Sequence, residues 1–161
     1  MEKFTFFYGT SQCFSQWHKA SFTVDGVKFN CAEQYMMYKK AELFGDTYGM
    51  GRILASTNPR DQKQFGREVK NFDSTLWESK CKQLVFDGNH AKFSQNGAMM
   101  LELVATTGTT LVEASKYDKI WGIGLGMDNP DRHDKSKWRG TNWLGEILTD
   151  LREDFLGNKD A

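Results

Sequence analysis

Apolar residues fall along this chain in two rhythms. A period of two governs the first thirty positions. Phe4 to Tyr8 is a short apolar run of strand character. Ser21-Phe22-Thr23-Val24 and Val27-Lys28-Phe29 alternate on either side of Asp25-Gly26. That arrangement predicts a hairpin, because a type I′ turn needs positive φ at both central positions and Asp-Gly supplies it. Phe22, Val24, Val27 and Phe29 are then the candidates for a core-facing surface.

A helical period follows. Asn30 precedes Glu33 by three residues, the spacing of a capping arrangement, so a helix is expected from about Cys31 to Phe44, ending at Gly45. Asn58-Pro59 gives a second start, with Phe65, Val69 and Phe72 on the apolar face. Leu76, Trp77, Cys81, Leu84 and Val85 recur at three- and four-residue spacing and predict a third helix, and residues 98–105 a fourth. The last helix carries the plainest stripe: Leu144, Ile147, Leu148, Leu151 and Phe155, with Glu146, Asp150 and Glu153 outside it. The expected class is α+β, a predominantly helical domain with a small antiparallel sheet.

Composition narrows the picture. A chain of 161 residues with 39% hydrophobic positions, 12 Phe and 5 Trp can build one sizeable core, so a single domain over 1–161 is expected. No apolar run is long enough to span a membrane, and the opening Met1-Glu2-Lys3 lacks the pattern of a secretory signal. The 3 cysteines (Cys13, Cys31, Cys81) and 3 histidines are scattered. They predict buried reduced thiols in an intracellular, cytoplasmic protein, and neither a metal site nor a cofactor. Net charge is zero, from 21 basic and 21 acidic residues. A dedicated duplex binder carries a basic excess to neutralise phosphate. Neutrality points instead to a small molecule or a single modified nucleotide. Neither a membrane nor an obligate protein partner is expected.

Two places could carry chemistry. Glu33 and Lys40 are seven residues apart, almost two helical turns, so both project from one face about 10 Å apart along the axis. Lys40 leans back toward Glu33, because helical side chains tilt toward the N-terminus. A ligand carbon could sit between carboxylate and amine; equally, Glu33 could only cap the helix and Lys40 could be solvated beside Lys39. The second place lies between Tyr117 and Gly145, where the helical period stops. Trp121-Gly122-Ile123-Gly124-Leu125-Gly126 lets backbone approach an anion or sugar closely, or makes a tight structural turn. It has neither the dinucleotide nor the P-loop spacing. Asp118 adds a carboxylate beside the Trp121 ring. Asn142 could bind ligand or cap the last helix.

Together these features resemble the NADAR family, also called YbiA-like. The motifs, in order, are Phe14-Ser15-Gln16-Trp17, Glu33 through Lys40, Leu111-Val112-Glu113, Asp118 through Gly124, and Gly140 through Gly145. The resemblance runs from about Phe6 to Arg152. Gln16-Trp17 stands where the family more usually has Asn-Phe, and Met127 to Arg139 forms a longer loop than in compact bacterial members.

The resemblance implies an N-glycosidase acting on ribosylated amines, without a cofactor. It implies Lys40, Glu33 and Asp118 as catalytic residues, and Phe14, Ser15, Glu113, Trp121, Gly122, Gly124 and Asn142 around the substrate. Lys40 would attack the opened ribose, with Glu33 or Asp118 moving protons, Trp121 and Phe14 stacking, and amides near Gly122 and Gly124 holding phosphate. In a non-covalent version an oxocarbenium-like centre is flanked by Glu33, Glu113 or Asp118. The expected substrate is ADP-ribosylated guanine, in nucleotide or nucleic acid; Arg132, Lys135, Lys137, Trp138 and Arg139 could meet a diphosphate or backbone, or form a solvated mixed-charge loop with Asp128, Asp131 and Asp134. The alternatives are a phosphoribosylamino-pyrimidine intermediate of riboflavin synthesis, and a binding module that grips ADP-ribose or a nucleotide without cleaving it.

Overall fold

The computed structural model describes residues 1–158. In chain order the elements are β1 (Phe4–Phe7), β2 (Phe22–Val24), β3 (Val27–Phe29), α1 (Ala32–Leu43), α2 (Thr47–Ala55), α3 (Pro59–Arg67), α4 (Ser74–Ser94), α5 (Gly97–Val104), β4 (Thr110–Glu113) and α6 (Trp143–Phe155). Two short 3-10 turns, Pro130–His133 and Lys135–Lys137, lie before α6. The class is α+β, as expected. Contacts along the chain define two compact units, one of Gln16–Gly97 and one joining Met1–Ser15 to the chain from Ala98 onward.

The first of these is helical and carries the hairpin. Asp25 and Gly26 take φ of 49° and 79°, the positive pair that the turn demands. Phe22 pairs with Phe29 across β2 and β3, and their rings stack with centroids 5.7 Å apart. Tyr35 and Ala91 complete this core cluster, with Val24, Val27 and Tyr38 packed against it. α1 packs against α2, α3 and α4.

The start of α1 differs from expectation. Cys31 is the N-cap, its Sγ accepting the Gln34 N–H at 3.4 Å. The Asn30 side chain is drawn elsewhere, donating to the Ser56 carbonyl and accepting from Gln62 Nε2, both at 3.1 Å. Glu33 therefore stands one position nearer the helix start than a capping box requires. α2 was not expected, since Gly49 and Gly51 break its apolar period. It is capped by Asp46, whose Oδ1 accepts the Gly49 N–H at 2.9 Å. α4 runs through 21 residues, well past the expected stripe. Its polar-looking Gly88-Asn89 step is buried: a Cβ on Gly88 would stand 2.5 Å from the Tyr35 ring, so glycine lets the two helices approach.

The other unit holds a sheet that the hydrophobic pattern did not reveal. β1 and β4 pair in parallel, from Phe4 opposite Thr110 to Phe7 opposite Glu113. Val112, Ile123 and Leu125 form the core beneath, with Phe4, Phe6 and Trp138 against it. α6 packs on β4 and buries Leu144, Ile147, Leu148 and Leu151 as its stripe predicts. Arg152, only 2% exposed, donates to the carbonyls of Thr106 and Thr109 and pairs with Glu153 at 2.9 Å. Among the described residues no helix is long and apolar enough to cross a membrane.

Candidate functional site

Glu33 and Lys40 sit in the first and last turns of α1, in the helical unit. Glu33 is buried, and its N–H donates to the Gln16 carbonyl at 2.9 Å. Gln16 is held in turn, because the Asn89 amide donates to its side-chain oxygen at 2.8 Å. The same Asn89 Nδ2 also donates to the Val85 carbonyl at 2.9 Å. A buried Asn on α4 thus fixes the segment that Glu33 leans on.

Lys40 is half-buried, its Nζ 4.7 Å from the centroid of the Phe72 ring and 5.7 Å from that of Trp77. Burial lowers its pKa below the ordinary lysine value, against the pull of Glu33, which raises it; Arg67 lowers it further. This electrostatic coupling is what a carboxylate and an amine on one helix face should produce. The solvated-lysine alternative does not describe Lys40. Its neighbour Lys39 differs in having a carboxylate partner, Glu42 at 3.0 Å.

Asp118 and the glycines belong to the other unit. Asp118 Oδ1 accepts the N–H groups of Ile120 and Trp121 at 3.0 and 2.8 Å, and its carbonyl accepts the Gly124 N–H at 3.1 Å. This carboxylate shapes the turn that presents Trp121, and the Gly124 amide is already engaged. Trp121 packs edge-on against Trp143, with centroids 5.6 Å apart. A Cβ on Gly122 would stand 2.9 Å from the Glu113 carbonyl, and one on Gly140 2.7 Å from Lys119 Cα. Of the two readings of this cluster, close packing of main chain is the one that these contacts describe.

Asn142 is fully buried, in the left-handed region at φ 54°. Its side chain makes no helix cap. Oδ1 accepts the Glu113 N–H and Nδ2 donates to the Leu111 carbonyl, both at 3.0 Å. Both amide atoms are bonded to β4, so they clasp the strand to the start of α6. Phe14, expected to stack on a base, is 8% exposed and packs on Phe7 with centroids 5.6 Å apart. Ser15 is half-buried, its N–H donating to the Gln12 carbonyl at 3.0 Å. Glu113 ends β4, opposite Phe7.

The structure adds groups that the sequence did not single out. Lys92 in α4 is fully buried, with Nζ 5.0 Å from the Phe93 centroid. An interior lysine has the same letter as a solvated one, so no pattern marks it. A shallow cavity of about 370 Å³ in the helical unit is lined by Lys19, Ser21, Lys28, Phe29, Asn30, Gln34 and Leu54. No carboxylate lines it, and neither lysine makes an ion pair among the described residues. By contrast the cations of the long loop are largely neutralised within their own unit. Lys137 lies 3.4 Å from Asp131 and Lys135 3.6 Å from Glu2, while Arg132 stands over the Phe6 ring. The mixed-charge reading fits these three residues better than a diphosphate grip.

Similarity to known proteins extends over most of the chain. The chain is 40% identical over 164 residues to N-glycosidase R617 of Acanthamoeba polyphaga mimivirus, covering 95% of this chain and 96% of that one. It is 29% identical over 114 residues to the chloroplastic riboflavin biosynthesis protein PYRR of Arabidopsis thaliana, covering 68% of this chain and 17% of that one. The NMR structure of the E. coli protein YbiA superposes with a TM-score of 0.79 at 28% identity, over 99% of this chain and 89% of that one. The NADAR domain model matches residues 6–156. With that match and these relatives, the chain belongs to the NADAR family.

Proposed function

We propose that the protein is an N-glycosidase that cleaves the bond between ribose C1 and an exocyclic aryl amine, with Lys40 as its nucleophile. The observation that carries this reading is the half-buried Lys40 amine, set against two aromatic rings on the same helix face as a buried Glu33. An amine that gives up its proton more readily than usual is what addition to an opened sugar needs. The N-glycosidase name of the mimiviral relative supports the reaction class.

The lone pair of the exocyclic nitrogen expels the ring oxygen, which takes a proton, leaving an iminium at C1. Neutral Lys40 adds to C1 and gives a geminal diamine. Glu33 accepts the proton lost from Nζ and returns it to the aryl nitrogen. The aryl amine departs, and C1 is held as an iminium on Lys40. Water adds, Lys40 leaves with its electron pair protonated, and the free ribose recloses.

For the substrate we favour ADP-ribose on the amine of guanine. Support comes from the cavity lined by Lys19, Ser21 and Lys28. The side chains of Asn30 and Gln34 there are engaged by Ser56, Gln62 and the main chain. The free groups are thus two ammonium ions and a hydroxyl, over an apolar floor of Phe29 and Leu54. Such a lining suits phosphate joined to sugar. Gln34 directly follows Glu33 on α1 but projects about 100° further round the helix, so the cavity flanks the face that bears the reacting pair and does not lie on it. A phosphoribosylamino-pyrimidine is the second substrate, favoured by the name of the Arabidopsis relative.

Turnover of ADP-ribosyl-guanosine and of the pyrimidine intermediate, measured side by side, ranks the two. Borohydride added during turnover should leave a reduced sugar adduct on Lys40, seen by mass spectrometry. Lys40→Ala should lose at least a thousandfold in kcat; full activity in that variant would end the covalent reading.

A further inference from the structure

Phe72 is 46% exposed, in the connection between α3 and α4. Solvent normally receives polar side chains there. The ring is nevertheless held firmly. Its edge meets Phe44, with centroids 5.4 Å apart and planes at 62°. The preceding residue, Asn71, is in the left-handed region at φ 62°, and Val69 is buried. Asp46 ties the segment down: Oδ2 accepts the Lys70 N–H at 3.1 Å while Oδ1 caps α2. A half-exposed aromatic on a backbone fixed at three points has little rotamer or loop entropy left to lose when a ligand arrives.

We infer that Phe72 is a substrate-binding residue, the platform on which the aromatic leaving group of the substrate stacks. This rests on the Lys40 reading above and adds what recognises the departing amine. In the geminal diamine, Nζ and the leaving nitrogen share one carbon. Two C–N bonds of about 1.5 Å put the leaving nitrogen roughly 2.5 Å from Nζ, and its ring starts one bond further on. Phe72, with its centroid 4.7 Å from Nζ, is therefore within stacking reach of that ring, and Trp77 at 5.7 Å borders the same space. Stacking reads a flat π surface without reading its hydrogen-bond pattern. The platform accordingly accepts purine and pyrimidine amines alike.

The test separates the platform from the nucleophile. Wild type, Phe72→Ala, Phe72→Leu and Phe72→Tyr are compared in kcat/KM on ADP-ribosyl-guanosine. Each is also incubated with free ADP-ribose and borohydride, an aldehyde with no leaving group, and adduct at Lys40 is quantified. Phe72→Ala and Phe72→Leu should lose about tenfold to a hundredfold in kcat/KM, the range for one lost base stack. Phe72→Tyr should retain both activity and adduct, while in Phe72→Ala and Phe72→Leu adduct yield should fall by a smaller factor than kcat/KM, through the share of Lys40 burial that the ring supplies. Unchanged turnover in Phe72→Ala and Phe72→Leu would overturn the platform and leave the nucleophile standing. Adduct and turnover falling by the same factor would also overturn it, because the ring would then only support Lys40. No adduct in wild type would remove the lysine chemistry and the platform with it.

Discussion

Lys40 holds its proton less tightly than an ordinary lysine because burial strips water from the ammonium form. Glu33 opposes that loss and Arg67 assists it. Turnover should therefore rise with pH along a limb whose midpoint lies below the usual lysine value of 10.5. Glu33→Gln removes the group that holds the proton on, so the midpoint should move lower still, while the plateau falls for lack of a proton carrier. A pH–rate profile of both proteins checks the two directions; an upward move in Glu33→Gln would contradict the coupling. The same shift acts on stability. Between the folded and unfolded pKa values the unfolded chain binds more protons, so stability gains from Lys40 as pH rises through that window. Below the folded pKa the full cost of burying the charge is present. The spacing of Glu33 and Lys40 gave their shared face and their coupling, but not the burial. Phe72 and Trp77 reach Lys40 from other elements.

Between β4 and α6 a single side chain replaces a cap. Asn142 gives both amide atoms to β4, at Glu113 and Leu111, from a left-handed backbone. Asn142→Ala leaves a buried N–H and a buried carbonyl unpaired and should cost about 2–4 kcal/mol, measured by urea unfolding. Asn142→Asp should be no better, since an oxygen would then face the Leu111 carbonyl. Elements were legible where one period ran uninterrupted. α6 shows its stripe from Leu144 to Leu151, and the hairpin shows alternation around Asp25-Gly26. α2 was hidden by Gly49 and Gly51, and the second half of α4 by Gly88 and Asn89, which look polar yet are buried. β4 is four residues long, too short to display a period, and its parallel pairing with β1 joins positions about a hundred residues apart. The cap moved from Asn30 to Cys31 because Asn30 found partners in Ser56 and Gln62, which local spacing does not encode.

At the scale of the whole molecule, burial sets the chemistry of the sulfur. All three cysteines are buried thiols outside any disulfide. Burial pushes the Cys31 thiol up to about 11 and raises Cys81 as well. Thiolate is the reactive form, so the native protein should be inert to Ellman's reagent near pH 8 and release three equivalents only when unfolded. Fast labelling of a native thiol would show that one of these pockets opens. The motifs of the site were legible because their order along the chain is specific; what their residues do was not. Asp118, Asn142 and the glycines lie in the expected segments, but they hold the main chain together.

That division has a consequence for how such proteins diversify. Main chain from Glu113, Asp118 and Lys119 crowds the hydrogens of Gly122 and Gly140, and Leu111 does the same at Gly145. A mutation there is met by a steric wall before any ligand can be affected. On the site proposed above, a change of substrate is expected at surfaces with space to vary, such as the ring at position 72 or the lysines at 19 and 28.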